Sequence, residues 1–364
     1  MAIDRRLLAN IDWVTLAAAL VLAGIGVAMI QSATMNTSST SLFWKQLALL
    51  GLGLMVLLAT LTIDYRRLAD RAPVLYAASV LALGYVLVFG PRIHGTRRWF
   101  LIRGIQIQPS ELTKIVAVIL IAKIFAENRK ERLGLSDVVW PGVAVGALIL
   151  LIAKEPDLGS AFCLVPPFLA VALLAGLRIR AVIALSLGLV LAGGLWWQFL
   201  AQPYQKARLS SFLEPDRDLK KAGYQRNQSQ IAVGSGGFLG KGYRQGSQSQ
   251  LGYLPARHTD FIFSVLAEEI GFVGVIVVLG LYLLVLWRAL ETAQLARDRV
   301  GAFLAAGLAS VLAFQVVYNV AMVGGLVPVK GLPLPLMSYG GASVLSTLIS
   351  IGLIINVRMR RFAN

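Results

Sequence analysis

Long apolar runs separated by short polar segments make up most of the chain, and this pattern predicts a helical membrane protein. A spanning helix needs about 20 mostly apolar residues. On that scale the sequence predicts a single integral membrane domain, 1–364, with ten spans at 13–33, 43–62, 73–90, 109–126, 139–153, 159–176, 180–200, 261–288, 300–325 and 335–357. The fifth is short and the sixth contains Pro166 and Pro167, so we expect both to be irregular. The predicted fold class is all-α and polytopic, with a long loop, 201–260, between helices 7 and 8.

The composition agrees with a membrane location and excludes several other classes. Hydrophobic residues are 57% and charged residues 14% of the chain, whereas soluble domains have roughly a quarter charged residues. The single cysteine, Cys163, excludes an internal disulfide framework. The two histidines, His94 and His258, are too far apart in the sequence to form a metal-binding motif. The first apolar run has no evident cleavage site, so we expect a retained helix and not a signal peptide.

Basic residues indicate the orientation of the chain in the membrane. Half of the 34 Lys and Arg residues lie in alternate loops on one side, which the positive-inside rule assigns to the cytoplasm. Both termini are therefore expected to be cytoplasmic, and the loop 201–260 external. The other basic residues would lie outside, where they either reach lipid phosphates or form a surface for an anionic ligand. The formal net charge of +16 is thus no sign of nucleic-acid binding.

Two pairs of charged residues stand at predicted outer helix ends. Glu111 and Lys114 are three residues apart, which suits an ion pair on a well-capped helix, or a pair that faces a cavity. Glu155 and Asp157 flank Pro156, a pattern typical of a plain turn. The same two carboxylates could instead bind a divalent cation or orient external arginines. Both alternatives stay open for each pair.

Asp260 lies where the polar loop becomes an apolar helix. An acid there is either a helix N-cap or, at the membrane edge, a functional group. Glu268 and Glu269, two turns further on, point about 100° apart, so one of them must face protein or water. The glycine-rich stretch 234–242 does not match a P-loop, although its glycines could bring backbone N–H groups near an anion.

Six stretches in order along the chain resemble the SEDS family (shape, elongation, division and sporulation). They are 95–99 (GTRRW), 108–111 (QPSE), 155–159 (EPDLG), 234–242 (GSGGFLGKG), 258–263 (HTDFIF) followed by Glu268 and Glu269, and 331–335 (GLPLP) followed by 338–341 (SYGG). Short termini and Arg257 favour the RodA branch over the FtsW branch. The chain departs from the family at Glu155, which is often Gln, at Ser160, often Thr, and at Ala342.

The resemblance implies a peptidoglycan glycosyltransferase at the outer face of the bacterial cytoplasmic membrane. It would polymerise lipid II into β-1,4 glycan strands with inversion, release undecaprenyl pyrophosphate, and serve cell elongation. Asp260 would be the catalytic base. No cofactor is implied with certainty, and a divalent cation is the one candidate. The implied partners are a class B penicillin-binding protein and the elongation machinery. The expected substrate contacts are Arg97, Arg98, Glu111, Lys114, Glu155, Asp157, Arg208, Lys241, His258, Thr259 and Ser338.

Two other functions fit a polytopic chain. A transporter that flips lipid II would be favoured by midplane acids or paired broken helices, whereas most of the non-cytoplasmic acids here gather at predicted outer helix ends. A scaffold that only anchors a partner would explain the helices but not the acids and arginines at that rim.

Overall fold

The computed structural model describes residues 10–35, 41–93, 95–102, 105–199, 212 and 222–361. These residues are mainly helical, with one short antiparallel hairpin of β1 (Phe100–Ile102) and β2 (Ile105–Ile107), in which Phe100 pairs with Ile107. The helices are α1 (Trp13–Thr34), α2 (Ser41–Thr62), α3 (Tyr65–Asp70), α4 (Ala72–Phe89), α5 (Pro109–Glu127), α6 (Leu135–Lys154), α7 (Leu158–Phe162), α8 (Val165–Leu174), α9 (Ile179–Phe199), α10 (Ala222–Ser235), α11 (Ser247–Gln250), α12 (Ile262–Leu295), α13 (Arg299–Val323) and α14 (Gly341–Met359).

Eight helices among the described residues are long and apolar enough to cross a membrane: α1, α2, α4, α6, α9, α12, α13 and α14. The expected fourth span forms α5, whose 19 residues include Glu111, Lys114 and Lys123. The expected sixth span is broken into α7 and α8 just before Pro166 and Pro167, whose rings cannot donate a backbone hydrogen bond. The count of ten is therefore approximate, because one span is charged and one is interrupted.

The fifth span is longer than expected. Helix α6 begins at Leu135 and runs for 20 residues to Lys154, with Pro141 inside it. The apolar run alone underestimated its length, because the polar first turn, which includes Asp137, lies outside that run.

The centre of the bundle is formed by the last two long helices. Helix α14 packs against α2, and α13 packs against α12, α8 and α5. Helix α14 is the most buried of the eight membrane-length helices and α9 the least. The bundle therefore holds the segment between α13 and α14 close to its core, with α9 at its edge.

Ion pairs of the buried Asp12 connect α1, α12 and α14 at the end of the bundle where the described residues begin and end. Asp12 precedes α1 and accepts a hydrogen bond from Arg288 near the end of α12, at 2.7 Å. Arg358, near the end of α14, lies 3.6 Å from the same carboxylate. Asp260 precedes the other end of α12, so the Asp260 region and these termini lie at opposite ends of the bundle.

Candidate active site

Asp260 lies in a half-buried turn immediately before helix α12. The helix begins at Ile262 and its N-cap residue is Phe261, with no side-chain capping hydrogen bond. Asp260 is therefore not the N-cap residue, which was the structural alternative for this acid. A Cβ placed on Gly331 would lie 3.5 Å from Asp260 Oδ2, so the backbone of Gly331 lies beside the carboxylate.

The backbone of the Asp260 turn is fixed by the segment that precedes helix α14. Ser338 Oγ donates to the carbonyl of Thr259 at 2.6 Å and accepts from Leu334 N at 2.8 Å. Tyr339 N donates to the carbonyl of His258 at 2.8 Å. Thr259 and Ser338, both expected to contact substrate, thus shape the turn through its backbone.

His258 packs its ring edge-on against Tyr339, with 5.8 Å between ring centroids. Burial, and secondarily the charge of Arg257, lower the pKa of His258 below its ordinary value. At neutral pH this imidazole is therefore mainly uncharged, a form in which one ring nitrogen can donate and the other accept a hydrogen bond.

A cavity of about 210 Å³ adjoins this turn. Its walls combine the polar side chains of Arg257 and His258 with apolar groups from the ends of α1 and α2 and from the loop. The volume is below the range of about 300–1,000 Å³ typical of pockets for drug-sized ligands. It therefore suits one part of a large substrate. The residues that line it are Ala33, Thr34, Leu42, Gly252, Leu254, Ala256, Arg257 and His258.

Asp157 is the centre of a second polar cluster. It is the N-cap of α7 and accepts hydrogen bonds from Gln108 Nε2 at 2.7 Å and from both N and Oγ of Ser160. Arg98 Nη1 lies 3.7 Å from the same carboxylate. Asp157 thus both caps a helix and holds Arg98, so the turn and arginine-orienting interpretations apply together. Arg97 donates instead to the carbonyl of Val88.

Glu155 is fully buried beside this cluster, and neither carboxylate oxygen has a hydrogen-bond partner. Burial raises the pKa of Glu155 to about 8; the nearby charge of Asp157 adds to the rise and that of Arg98 opposes it. Glu155 is therefore mainly protonated at neutral pH. Calcium and magnesium are bound by several charged or carbonyl oxygens, and the Asp157 carboxylate already accepts hydrogen bonds from Gln108 and Ser160, so Glu155 and Asp157 alone do not supply such a ligand set. No group of three potential metal ligands occurs within the described part of the chain.

Glu111 and Lys114 form a buried ion pair, with 2.8 Å between Nζ and Oε1. Ser346 Oγ donates to the other oxygen of Glu111 at 2.8 Å. The pair faces a cavity of about 10 Å³ that Gln315 and Ser350 also line, which is close to the smallest space that holds one water molecule. Both side chains are buried, so any effect on a substrate would pass through neighbouring groups.

Segment 330–332 joins the Asp260 turn to helix α7. Gly331 lies beside the Asp260 carboxylate, and Leu332 would contact a Cβ placed on Gly159 at 3.0 Å. Lys330 places its Nζ 4.4 Å from the ring centre of Phe162. The Asp260 turn and the start of α7, which Asp157 caps, are therefore neighbours through one short stretch of chain.

Lys241 pairs with Glu268 on helix α12, with 2.8 Å between Nζ and Oε1. Lys241 therefore contacts a protein carboxylate in this structure, and its predicted role toward substrate would have to be shared with that contact. Arg208, also expected to contact substrate, lies outside the described residues, as do Arg103 and His94.

The glycine-rich stretch packs its backbone against a break in helix α12. Gly271 has φ of +73° inside the helix, and the amides of Phe272 and Val273 donate to the carbonyls of Gly237 and Phe238. The amides of Lys241 and Gly242 donate in turn to the carbonyls of Glu268 and Glu269, at 3.0 Å each. These two N–H groups are used within the protein, so the glycines serve close backbone approach and not anion binding there.

Similarity to known proteins identifies the family of this chain. Residues 8–362 match the cell cycle protein family FtsW/RodA/SpoVE. The chain belongs to this family. It is 36% identical to the probable peptidoglycan glycosyltransferase FtsW of Trichlorobacter lovleyi, over 96% of this chain and 93% of that protein.

Solved structures of family members extend the similarity to the fold. One chain of a peptidoglycan synthase complex that coordinates polymerisation and crosslinking superposes with a TM-score of 0.84 at 33% identity, over 97% of this chain and 99% of that chain. The rod shape determining protein RodA of Thermus thermophilus superposes with a TM-score of 0.73 at 31% identity, over 97% and 98%. Relatives named FtsW and RodA are both close, so identity alone does not separate the two branches.

Asn319 is a site residue that the sequence did not single out. It is fully buried in α13, and Nδ2 donates to the carbonyls of Asp260 at 3.0 Å and Leu332 at 2.8 Å. An amide inside a long apolar run was its one signal in the sequence, since polar groups at membrane depth are costly and usually have a purpose.

Proposed function

We propose that this family member is a peptidoglycan glycosyltransferase that polymerises lipid II, with Asp260 as its catalytic base. The observation that carries the proposal is the half-buried carboxylate of Asp260, whose turn is fixed through its backbone and adjoins a cavity of about 210 Å³. The FtsW relative is named as a probable peptidoglycan glycosyltransferase, which supports the same chemistry. A carboxylate just before the first turn of a helix, at the membrane edge, can reach a lipid headgroup without entering the hydrocarbon layer.

The proposed reaction is an inverting displacement. The 4-hydroxyl of an acceptor N-acetylglucosamine attacks the anomeric carbon of a donor N-acetylmuramic acid, and the bond from that carbon to the pyrophosphate oxygen breaks. Asp260 takes the hydroxyl proton during the attack, because an un-ionised hydroxyl is a weak nucleophile. The products are a β-1,4 glycosidic bond and undecaprenyl pyrophosphate.

Arginines near the second polar cluster would offset the charge that develops on the pyrophosphate. Arg98 is about a quarter exposed and 3.7 Å from Asp157, so it is oriented and still reachable. Charge-assisted hydrogen bonds from guanidinium to phosphate oxygen are among the strongest in proteins. We assign direct contact to Arg97 and Arg98, and an indirect role to the buried Glu111–Lys114 pair.

The proposed setting is the outer face of the bacterial cytoplasmic membrane, with both termini in the cytoplasm. This orientation rests on the distribution of Lys and Arg among the loops. In this orientation Asp260 would lie on the outer side, where we propose that lipid II is polymerised. A class B penicillin-binding protein is the proposed partner, supported by the synthase complex that the fold resembles, and cell elongation is the proposed role.

Substitution of Asp260 by Asn tests the proposal. Purified full-length protein, alone and with its proposed transpeptidase partner, is supplied with lipid II, and glycan strands are resolved on a gel. General acid–base catalysis contributes about 10²- to 10⁴-fold, so we expect D260N to lose at least 100-fold in rate while Asp70→Asn, an exposed acid near the opposite end, stays normal. Normal polymerisation by D260N would disprove the assignment. Transfer of lipid II across vesicles without any polymer from the wild type would favour a flippase instead.

A further inference from the structure

Glu268, in the first turns of α12, binds a segment of the external loop with its whole carboxylate. It accepts from Lys241 Nζ at 2.8 Å, Gln248 N at 2.8 Å, Ser249 N at 3.1 Å and Ser247 Oγ at 3.3 Å. A carboxylate has about four lone-pair positions. Glu268 is fully buried, and its hydrogen-bonding capacity is used within the protein.

Glu269 binds the same segment from the adjacent helix position. It accepts from Arg244 N at 3.1 Å, and from Ser32 Oγ of helix α1 at 2.5 Å. Gln250 Nε2 donates to the carbonyl of Ser32 at 3.0 Å. We call residues 241–250 the strap. The two acids therefore hold the strap against α12 on one side and α1 on the other.

The strap is connected to the Asp260 turn by one residue. Arg257 Nη1 donates to the carbonyl of Ser249. Ser249 is also held by both acids, because its amide donates to Glu268 and its hydroxyl donates to Glu269. Thr259 N and Phe261 N, on either side of Asp260, donate to the carbonyl of Ala256, the residue before Arg257. A displacement of the strap would thus reach the Asp260 turn within a few residues.

We propose that Glu268 and Glu269 are positioning residues that fix the Asp260 turn through the strap and Arg257. The inference rests on the proposed role of Asp260 as the base. Both acids are buried and occupied by donors from the protein, so neither is placed to exchange a proton with a sugar. In this arrangement Lys241 acts by neutralising Glu268, and not by binding a phosphate.

The first test separates turnover from substrate binding in the purified full chain with lipid II. Glu268→Gln and Glu269→Gln keep the side-chain shape and remove the charge. Because a misplacement of about 1 Å costs roughly 100-fold in rate, we expect kcat per folded molecule to fall at least tenfold, with KM within twofold of wild type. The folded fraction is measured by size exclusion and thermal unfolding of each variant.

Glu291→Gln is the matched control. Glu291 lies on the same helix near its opposite end and pairs with Arg288 and Arg358. Removal of its charge disturbs an ion-pair network far from the strap. We expect kcat per folded molecule to stay within threefold of wild type in this control.

A double-mutant cycle with Lys241 tests the route of the effect. If Lys241 acts through Glu268, Lys241→Met lowers kcat and the double variant is no slower than Glu268→Gln alone. If Lys241→Met instead raises KM, and its effect multiplies with that of Glu268→Gln in the double variant, Lys241 contacts the substrate directly. That result would overturn the proposed role of Lys241. Lys241 is partly exposed, so this variant tests the Glu268 arm even if Glu268→Gln does not fold.

Two results would overturn the inference as a whole: kcat per folded molecule within twofold of wild type in both Gln variants, or a rise in KM at unchanged kcat. These outcomes are distinct from failure of the proposed function. If Asp260→Asn is inactive and the Gln variants are normal, only the positioning roles are wrong. If Asp260→Asn is active, the base assignment is wrong whatever the Gln variants do.

Discussion

Asn319 donates a hydrogen bond from Nδ2 to the backbone carbonyl of Asp260, at 3.0 Å. The same amide nitrogen donates to the carbonyl of Leu332 at 2.8 Å. One buried side chain on α13 therefore links the start of α12 to the segment that leads into α14. Both carbonyls lie next to the proposed base, so the amide fixes the backbone on which that base is mounted.

Asn319→Ala is expected to lower both activity and stability. Loss of the donor leaves buried carbonyls unsatisfied, at a cost of about 1–3 kcal/mol, and frees the Asp260 turn to move. We expect kcat with lipid II to fall at least tenfold per folded molecule. Asn356→Ala is the control, because Asn356 Nδ2 donates to the carbonyls of Thr60 and Ile63 at the opposite end of the bundle. It should lower thermal stability and leave kcat of the folded protein unchanged; equal loss of kcat in both would refute a local role for Asn319.

Two glycines of the 234–242 stretch are expected to respond in opposite ways to alanine. A Cβ on Gly236 would lie 1.9 Å from the carbonyl oxygen of Ala267, a backbone atom of α12 that cannot easily yield. Gly236→Ala should therefore cost about 1–3 kcal/mol or more through overpacking. Gly234 has open space at its Cβ and lies inside helix α10, so Gly234→Ala should be neutral or stabilising by about 0.5–1 kcal/mol.

Thermal unfolding in detergent measures both variants, and glycan synthesis from lipid II is followed in parallel. Gly236→Ala should also lose activity, because the stretch leads directly into the strap that Glu268 and Glu269 hold. Similar unfolding temperatures for the two variants would contradict the close approach of the two backbones.

The sequence predicted the membrane fold well because lipid imposes a simple rule of length and polarity. Apolar runs found the helices, and the position of Asp260 at the end of one of them was visible from the pattern alone. Pro166 and Pro167 predicted an irregular sixth span, and the structure interrupts it at Cys163 and Leu164. The start of α6 at Leu135 was missed because its first turn is polar.

Partners across the fold were beyond the reach of the sequence. Nothing local indicates that Lys241 pairs with Glu268, 27 residues away, or that Asn319 contacts the Asp260 carbonyl. The glycine-rich stretch suggested backbone N–H groups near an anion because its composition is visible in the sequence, whereas the break at Gly271 against which it packs is not. Such contacts depend on which helices become neighbours, which hydropathy does not encode.

Asp12→Asn is expected to destabilise the protein without changing its chemistry. Asp12 is buried and hydrogen-bonded by Arg288 and Thr15, with Arg358 nearby. Breaking a buried ion pair by removing one partner costs about 3–5 kcal/mol, and the partial exposure of Arg288 places this pair at the lower end. We expect a lower unfolding temperature and wild-type kcat in the protein that remains folded.

The pH dependence of the stability difference between wild type and Asp12→Asn gives a second check. Burial raises the pKa of Asp12, but the hydrogen bonds from Arg288 and Thr15 and the charge of Arg358 outweigh it, so the net pKa lies below the ordinary value. The stabilisation is therefore complete above the ordinary pKa near 4 and is lost only as pH falls through the lower folded value. Between pH 5 and pH 8 the gap between wild type and Asp12→Asn should be constant; a gap that closes toward pH 5 would contradict the lowered pKa.

Glu155→Gln, in contrast to Asp12→Asn, is expected to be more stable than the wild type at high pH. Burial, with help from the charge of Asp157 and against that of Arg98, raises the pKa of Glu155 to about 8. The folded protein therefore keeps a proton that the unfolded chain releases at its ordinary pKa near 4.3, and stability is lost as pH rises from there to about 8. Glutamine copies the neutral acid and cannot ionise, so wild type and variant should unfold at similar temperatures at pH 5. At pH 8 the wild type should be less stable than Glu155→Gln, whereas Glu127→Gln, at an exposed acid, should follow the wild type throughout; parallel curves for all three proteins would show that Glu155 is ionised at every pH measured.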